Sequence, residues 1–109
     1  MKKLIVVQTT FTKREEAVDM AVNAVRKRLA ACAQLSGEVE SFYWWKDTIE
    51  HSPEFILRLK TTEDAYPILE EFIRNTHSYE TPEIIGVSVD RVDADYLQWL
   101  EGEIHNDEK

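Results

Sequence analysis

A chain of 109 residues, 43% hydrophobic and 31% charged, holds enough apolar material for a single modest core and too much to stay disordered. Its 21 acids against 13 Lys and Arg leave a formal charge of -8. That sign argues against a nucleic-acid partner, whose phosphates need cations to grip them; it suits cation binding, or simply solubility.

The opening run Leu4–Val7 stops at Gln8, short of the roughly 7–15 residues of a signal core, and no stretch nears the roughly 18 apolar residues of a membrane span. One cysteine, Cys32, permits no internal disulfide and suits a reducing compartment. A single cytoplasmic domain over residues 1–109, away from membranes, is the expectation.

Taken in order, Leu4–Val7 reads as a strand buried on both faces. Thr12-Lys13-Arg14-Glu15 reads as a capping box opening a helix whose apolar stripe is 18, 21, 22, 25 and 29. From Ala33 to Thr62 the pattern is β, with Val39–Trp45 and Thr48–Thr61 forming a long hairpin about a polar break at Lys46-Asp47. Pro53 lacks an N–H and belongs at a bulge or an edge. A second helix is expected from Glu63 or Asp64, with Pro67 in its first turn and Ile68, Leu69, Phe72 and Ile73 buried. Ile84–Val89 reads as the last strand. A short helix follows, capped by Asp93 or Asp95 and burying Tyr96, Leu97, Trp99 and Leu100, before a frayed end at 105–109. The order β-α-β-β-α-β-α predicts an α+β, ferredoxin-like fold: an antiparallel sheet with helices on one face.

Phe42-Tyr43-Trp44-Trp45 puts four aromatics in a row on a strand, two to each face. Each buries on the order of 150–250 Å² when covered, and such a patch is rarely left wet. Another copy of the chain should cover it. The alternative cover is the C-terminal segment from Tyr96 to Ile104.

The densest run of proton-active side chains is His77-Ser78-Tyr79-Glu80-Thr81-Pro82-Glu83, between apolar segments. His77, Glu80 and Glu83 are candidate metal ligands, but no CxxC or HxxxH spacing supports them. His77 with Glu80 could form an acid–base pair, or the loop could be structural. Cys32, flanked by alanines, reads as a small hydrophobe at a helix-to-strand junction. No Gly-x-Ser-x-Gly elbow exists, and three glycines cannot build a phosphate cradle. The same element order serves RNA-binding domains that stack bases on third-strand aromatics; here that strand reads Glu54-Phe55-Ile56-Leu57-Arg58-Leu59, without that pattern. No catalytic residue is assigned, and no enzyme is expected.

Five motifs resemble one family in order and spacing: Lys27–Cys32, Ser41–Trp45, Lys60-Thr61-Thr62, His77-x-Tyr79-x-x-Pro82-Glu83 and Tyr96-Leu97-x-Trp99-Leu100. The family is CutA, the divalent-cation tolerance proteins. The resemblance implies a cytoplasmic homotrimer joined through its long hairpins and similar to PII signalling proteins, with Phe42, Tyr43, Trp44 and Trp45 at the interface. It also implies a part in metal tolerance, with Cu²⁺ or another divalent cation as ligand and no settled catalysis. His77 is then the metal candidate, and Lys60, His77, Tyr79 and Glu83 the ligand cleft, Lys60 as countercharge to Glu83 or to an anion. The alternative is a PII-like signalling or interaction trimer that binds a small ligand or partner and no metal. The chain departs from the family at Ser78, where Pro is usual, at Asp47, where Gly is usual, and at Gly37, where Pro is usual. Of a cysteine and a doubled histidine proposed elsewhere in the family as copper ligands, it keeps only His77, with Thr9 and Thr76 at the other positions.

Overall fold

Successive side chains of a strand point to opposite faces of its sheet, and β1 (Leu4–Phe11) is buried along nearly its whole length on both. In the computed structural model, which describes residues 2–104, six elements follow it: α1 (Arg14–Arg26), β2 (Cys32–Trp45), β3 (Thr48–Thr62), α2 (Tyr66–Thr76), β4 (Ile85–Ser88) and α3 (Ala94–Glu103). The sheet order is β2-β3-β1-β4, and every pair is antiparallel. The expected β-α-β-β-α-β-α order and the long hairpin are both present.

Ile5, Val7 and Phe11 of β1 join Leu57 and Leu59 of β3 under α1 and α2, where Ala17, Met20, Ala24, Leu69 and Ile73 complete the main core. Gly86 lies beneath Tyr66; a Cβ there would stand 2.7 Å from a ring carbon. On the opposite face Leu4 packs with Leu97 and Leu100 of α3, against the partly buried Val6 and Val89. Two helices therefore share one face as expected, and the third covers one end of the other. Tyr96 is half-buried there, but Trp99 is 46% exposed and does not pack as the helical spacing suggested. The two interior positions of a ten-residue helix that face the sheet are Leu97 and Leu100, and Trp99 falls between them.

Two helix starts differ from expectation. The cap of α1 is Lys13, with no side-chain hydrogen bond, so the Thr12/Glu15 capping box does not form; the Thr12 hydroxyl bonds instead to Tyr79. α2 begins two or three residues late because 62–65 close as a turn, Ala65 N–H reaching the Thr62 carbonyl at 3.1 Å, and Pro67 still falls in the first turn. Asp93 caps α3 by accepting from the Tyr96 N–H at 3.1 Å. The expected fraying of 105–109 lies outside the described residues.

The hairpin projects past the sheet, giving extents of 44 × 30 × 23 Å and a radius of gyration of 14.5 Å, against about 13 Å for a round domain of this length. Lys46 and Asp47 both have left-handed backbones, φ 51° and 67°; this is the two-residue turn whose twist matches a hairpin, built without its usual glycine. β1 ends opposite Phe55, so the outer half of β3 pairs with β2 alone, and Pro53 sits in that one-sided stretch. The β2–β3 register shifts between Ser36 and Val39, where a Cβ on Gly37 would meet Phe55 at 2.3 Å.

Candidate functional site

The loop leaving α2 covers the edge of β1 that β4 does not reach, since β4 pairs only with residues 5–8. His77 ends the helix and stacks on Phe11, with centroids 4.2 Å apart and planes 9° from parallel. Its Nε2 lies 2.8 Å from the Thr10 carbonyl, and its Nδ1 lies 3.1 Å from the Tyr79 amide nitrogen. A carbonyl only accepts, so Nε2 carries the proton and donates, while Nδ1 accepts the Tyr79 N–H. Burial lowers the pKa of His77 and outweighs the opposing pull of the Thr10 carbonyl and of Glu16 and Glu54. The ring is neutral and both nitrogens are engaged. Neither partner is a carboxylate, so no acid–base pair with Glu80 forms.

Tyr79 tilts against His77 at 58°, with centroids 4.6 Å apart. Its hydroxyl donates to Glu54 Oε2 at 2.6 Å, and Ser41 Oγ donates to Glu54 Oε1 at 2.7 Å. Glu54 is 6% exposed, and the donors holding it here are neutral hydroxyls. Desolvation, then the bond to Glu54 and its charge, raise the Tyr79 phenol far above its usual range, against a smaller opposing effect of Thr12. A phenol so held is a donor and not a nucleophile.

Glu83 accepts from Gln8 Nε2 at 2.8 Å, and Gln8 Oε1 in turn accepts from Arg58 Nε at 3.1 Å. The chain of contacts crosses from the loop over β1 to β3. Ser78 donates to Glu16 at 2.8 Å and ties the loop to α1.

Lys60 does not join this group. Its Nζ lies 3.5 Å from the Tyr96 hydroxyl and 5.6 Å from that ring's centroid, beside α3. It stands about 20 Å along β3 from Glu54, at roughly 3.3 Å per residue, and the contact that Glu83 makes is with Gln8. The structure thus joins His77 to Tyr79, sets Glu83 on Gln8 along the same groove as Tyr79, and adds Glu54 and Ser41, which the sequence reading passed over. A signal existed: Glu54 is an acid between a proline and the apolar run Phe55-Ile56-Leu57.

An open groove of about 770 Å³ runs between this loop and the hairpin, lined by Glu54, Tyr79, Glu80 and Glu83 on one side and by Tyr43 and Trp45 among the hairpin aromatics on the other. Among the described residues, no three of His, Cys, Asp and Glu lie close enough together to hold a metal ion. Among the described residues, no helix is long and apolar enough to cross a membrane.

A four-stranded antiparallel sheet with two helices on one face, a third on the other and a projecting hairpin defines an α+β class, and comparison with known proteins narrows it. The CutA1 divalent ion tolerance protein profile matches residues 5–103. The divalent-cation tolerance protein CutA of Pyrococcus horikoshii is 43% identical over 97 residues, covering 89% of this chain and 94% of that one. Its crystal structure superposes with a TM-score of 0.88 at 42% identity, over 93% and 98% of the two chains. CutA1 from Oryza sativa gives 0.91 at 30% identity, over 95% of each. The chain belongs to the CutA1 divalent ion tolerance family.

Proposed function

We propose that this chain acts as a cytoplasmic homotrimer in the response to divalent cations, without catalysis of its own. Family membership is the observation that carries the cation role. The trimer is supported by surface that one copy leaves uncovered: Phe42 and Trp44 are 66% and 71% exposed, and Tyr43, Trp45, Ile49, Ile85 and Val87 are open as well. β2 and β4 also each leave one edge unpaired, which proteins seldom leave bare. Three copies meeting through their hairpins would cover these rings and place the groove between subunits.

The described residues of one chain do not fit a metal centre. His77 spends its Nδ1 lone pair on the Tyr79 amide, and its neighbours do not converge with it. A cation bound at His77 must displace that amide, and a cation bound elsewhere needs donors from more than one copy. Calorimetry with Cu²⁺ on the wild type and on His77→Ala tests this. A stoichiometric heat lost in the variant supports a metal role through His77. A heat equal in both moves the site elsewhere, and no heat in either rejects Cu²⁺ binding.

The engaged imidazole favours a second reading, a PII-like trimer that takes a small ligand or partner in the groove and no metal. His77, Tyr79 and Glu83 then shape the groove, and the neutral ring serves as a pin.

A further inference from the structure

The outer hairpin, residues 39–54, leaves the sheet through a weakened joint. β1 ends opposite Phe55, so no third strand supports the ribbon beyond that point. The β2–β3 register shifts at the same level, between Ser36 and Val39, where Gly37 makes room for the Phe55 ring. A two-stranded ribbon is marginal on its own and twists more freely than a wider sheet.

Glu54 is the first residue past the joint, and it is 6% exposed while most of the ribbon beyond it is open. Its two carboxylate oxygens have different partners. Oε1 accepts from Ser41 Oγ on the facing strand, a bond inside the hairpin. Oε2 accepts from the Tyr79 hydroxyl at 2.6 Å, and Tyr79 belongs to the loop after α2. The Tyr43–Ser52 and His51–Glu40 contacts also stay inside the hairpin. Among the described residues, Tyr79 to Glu54 is therefore the side-chain hydrogen bond that ties the ribbon to the body. The far end of this tie is fixed as well. Tyr79 donates its amide N–H to His77 Nδ1, and His77 is stacked on the buried Phe11.

We infer that the Tyr79–Glu54 bond is a latch that sets the angle of the hairpin and holds it ready to dock on a neighbouring copy. The inference rests on the proposed trimer and names what governs its assembly. Without the latch the ribbon samples many angles and has to be ordered again on docking, which weakens association.

The test compares Tyr79→Phe with Ser41→Ala by sedimentation across a dilution series, with circular dichroism to check that both fold. Each variant removes one hydroxyl donor from the same carboxylate, but only Tyr79→Phe frees the hairpin from the loop. Tyr79→Phe should raise the concentration of half-assembly about tenfold, and Ser41→Ala should stay within about twofold of the wild type. Glu54→Gln weakens the same bond by removing its charge and is the second variant, with a shift of about threefold. Equal shifts in Tyr79→Phe and Ser41→Ala, or none in Tyr79→Phe and Glu54→Gln, overturn the inference. A wild type that sediments as a monomer sinks the trimer instead, and the latch is then decided within one chain. Spin labels on Thr48→Cys and Glu71→Cys, with Cys32→Ala, should give a broader distance distribution in Tyr79→Phe than in Ser41→Ala; equal widths overturn the latch there too.

Discussion

The two halves of β3 share one strand and one pleat and have opposite fates. From Phe55 inward the strand lies between β2 and β1, with α1 and α2 above it, and Leu57, Leu59 and Thr61 are wholly buried. From Thr48 to Pro53 it pairs with β2 alone, and Ile49 is 60% exposed. A strand pattern says that a residue is apolar and which face it takes; what covers that face depends on whether a third strand and a helix arrive. The inner half finds its cover within the chain. The outer half, with the four aromatics opposite it, is left uncovered in a single chain, and the proposed trimer would supply the cover.

The sharpest way to separate the halves is to truncate one residue in each. Leu57→Ala should cost about 3 kcal/mol in denaturant unfolding, from lost transfer energy and the cavity left behind. Trp44→Ser should leave circular dichroism and amide protection of the core unchanged while moving the sedimentation profile toward smaller species. A loss of core protection in Trp44→Ser would show that the halves are not independent.

Next in size is the junction between them, where Tyr79 reaches the buried Glu54. Tyr79→Phe removes a 2.6 Å donor from a carboxylate with few others, and should cost about 1–3 kcal/mol in the same measurement. A cost near zero would mean that water replaces the phenol.

His77 gives the junction a pH dependence of known sign. Its folded pKa lies below the unfolded value of 6.5, so the unfolded chain binds more protons in that window. The contribution is complete above about pH 6.5 and fades as the pH falls toward the folded value. His77→Gln should flatten this part of the stability–pH curve, measured by thermal melts from neutral to mildly acid pH; an unchanged slope would assign the dependence to other groups.

The smallest effect lies at the hairpin tip. Asp47→Gly places the residue most tolerant of a left-handed backbone at φ 67°, and should stabilise the chain by about 0.5 kcal/mol, offset in part by the freer unfolded glycine. A destabilised variant would mean that the Asp47 side chain holds the turn.

Much of this fold could be read from period and punctuation. Leu4–Val7, the α1 stripe, Pro67 and the Lys46-Asp47 break each act through neighbours close in sequence. The misses share a different cause. Thr12 abandons its helix for Tyr79, and Lys60 lies beside Tyr96; both outcomes were decided by a residue far along the chain. The site was legible as a loop in part, since His77 and Tyr79 do meet. Its buried carboxylate was not, because Glu54 meets Tyr79 only after β3 and the loop are both in place. Gly37, similarly, makes sense only once Phe55 is known to lie against it.

Everything said of the groove depends on the outer hairpin being covered by copies of the same chain. Sedimentation equilibrium at micromolar concentration tests that most directly. A particle of about 38 kDa, three times the 12.7 kDa chain, is the expected result; a single 12.7 kDa species would leave the aromatics in water and contradict the account.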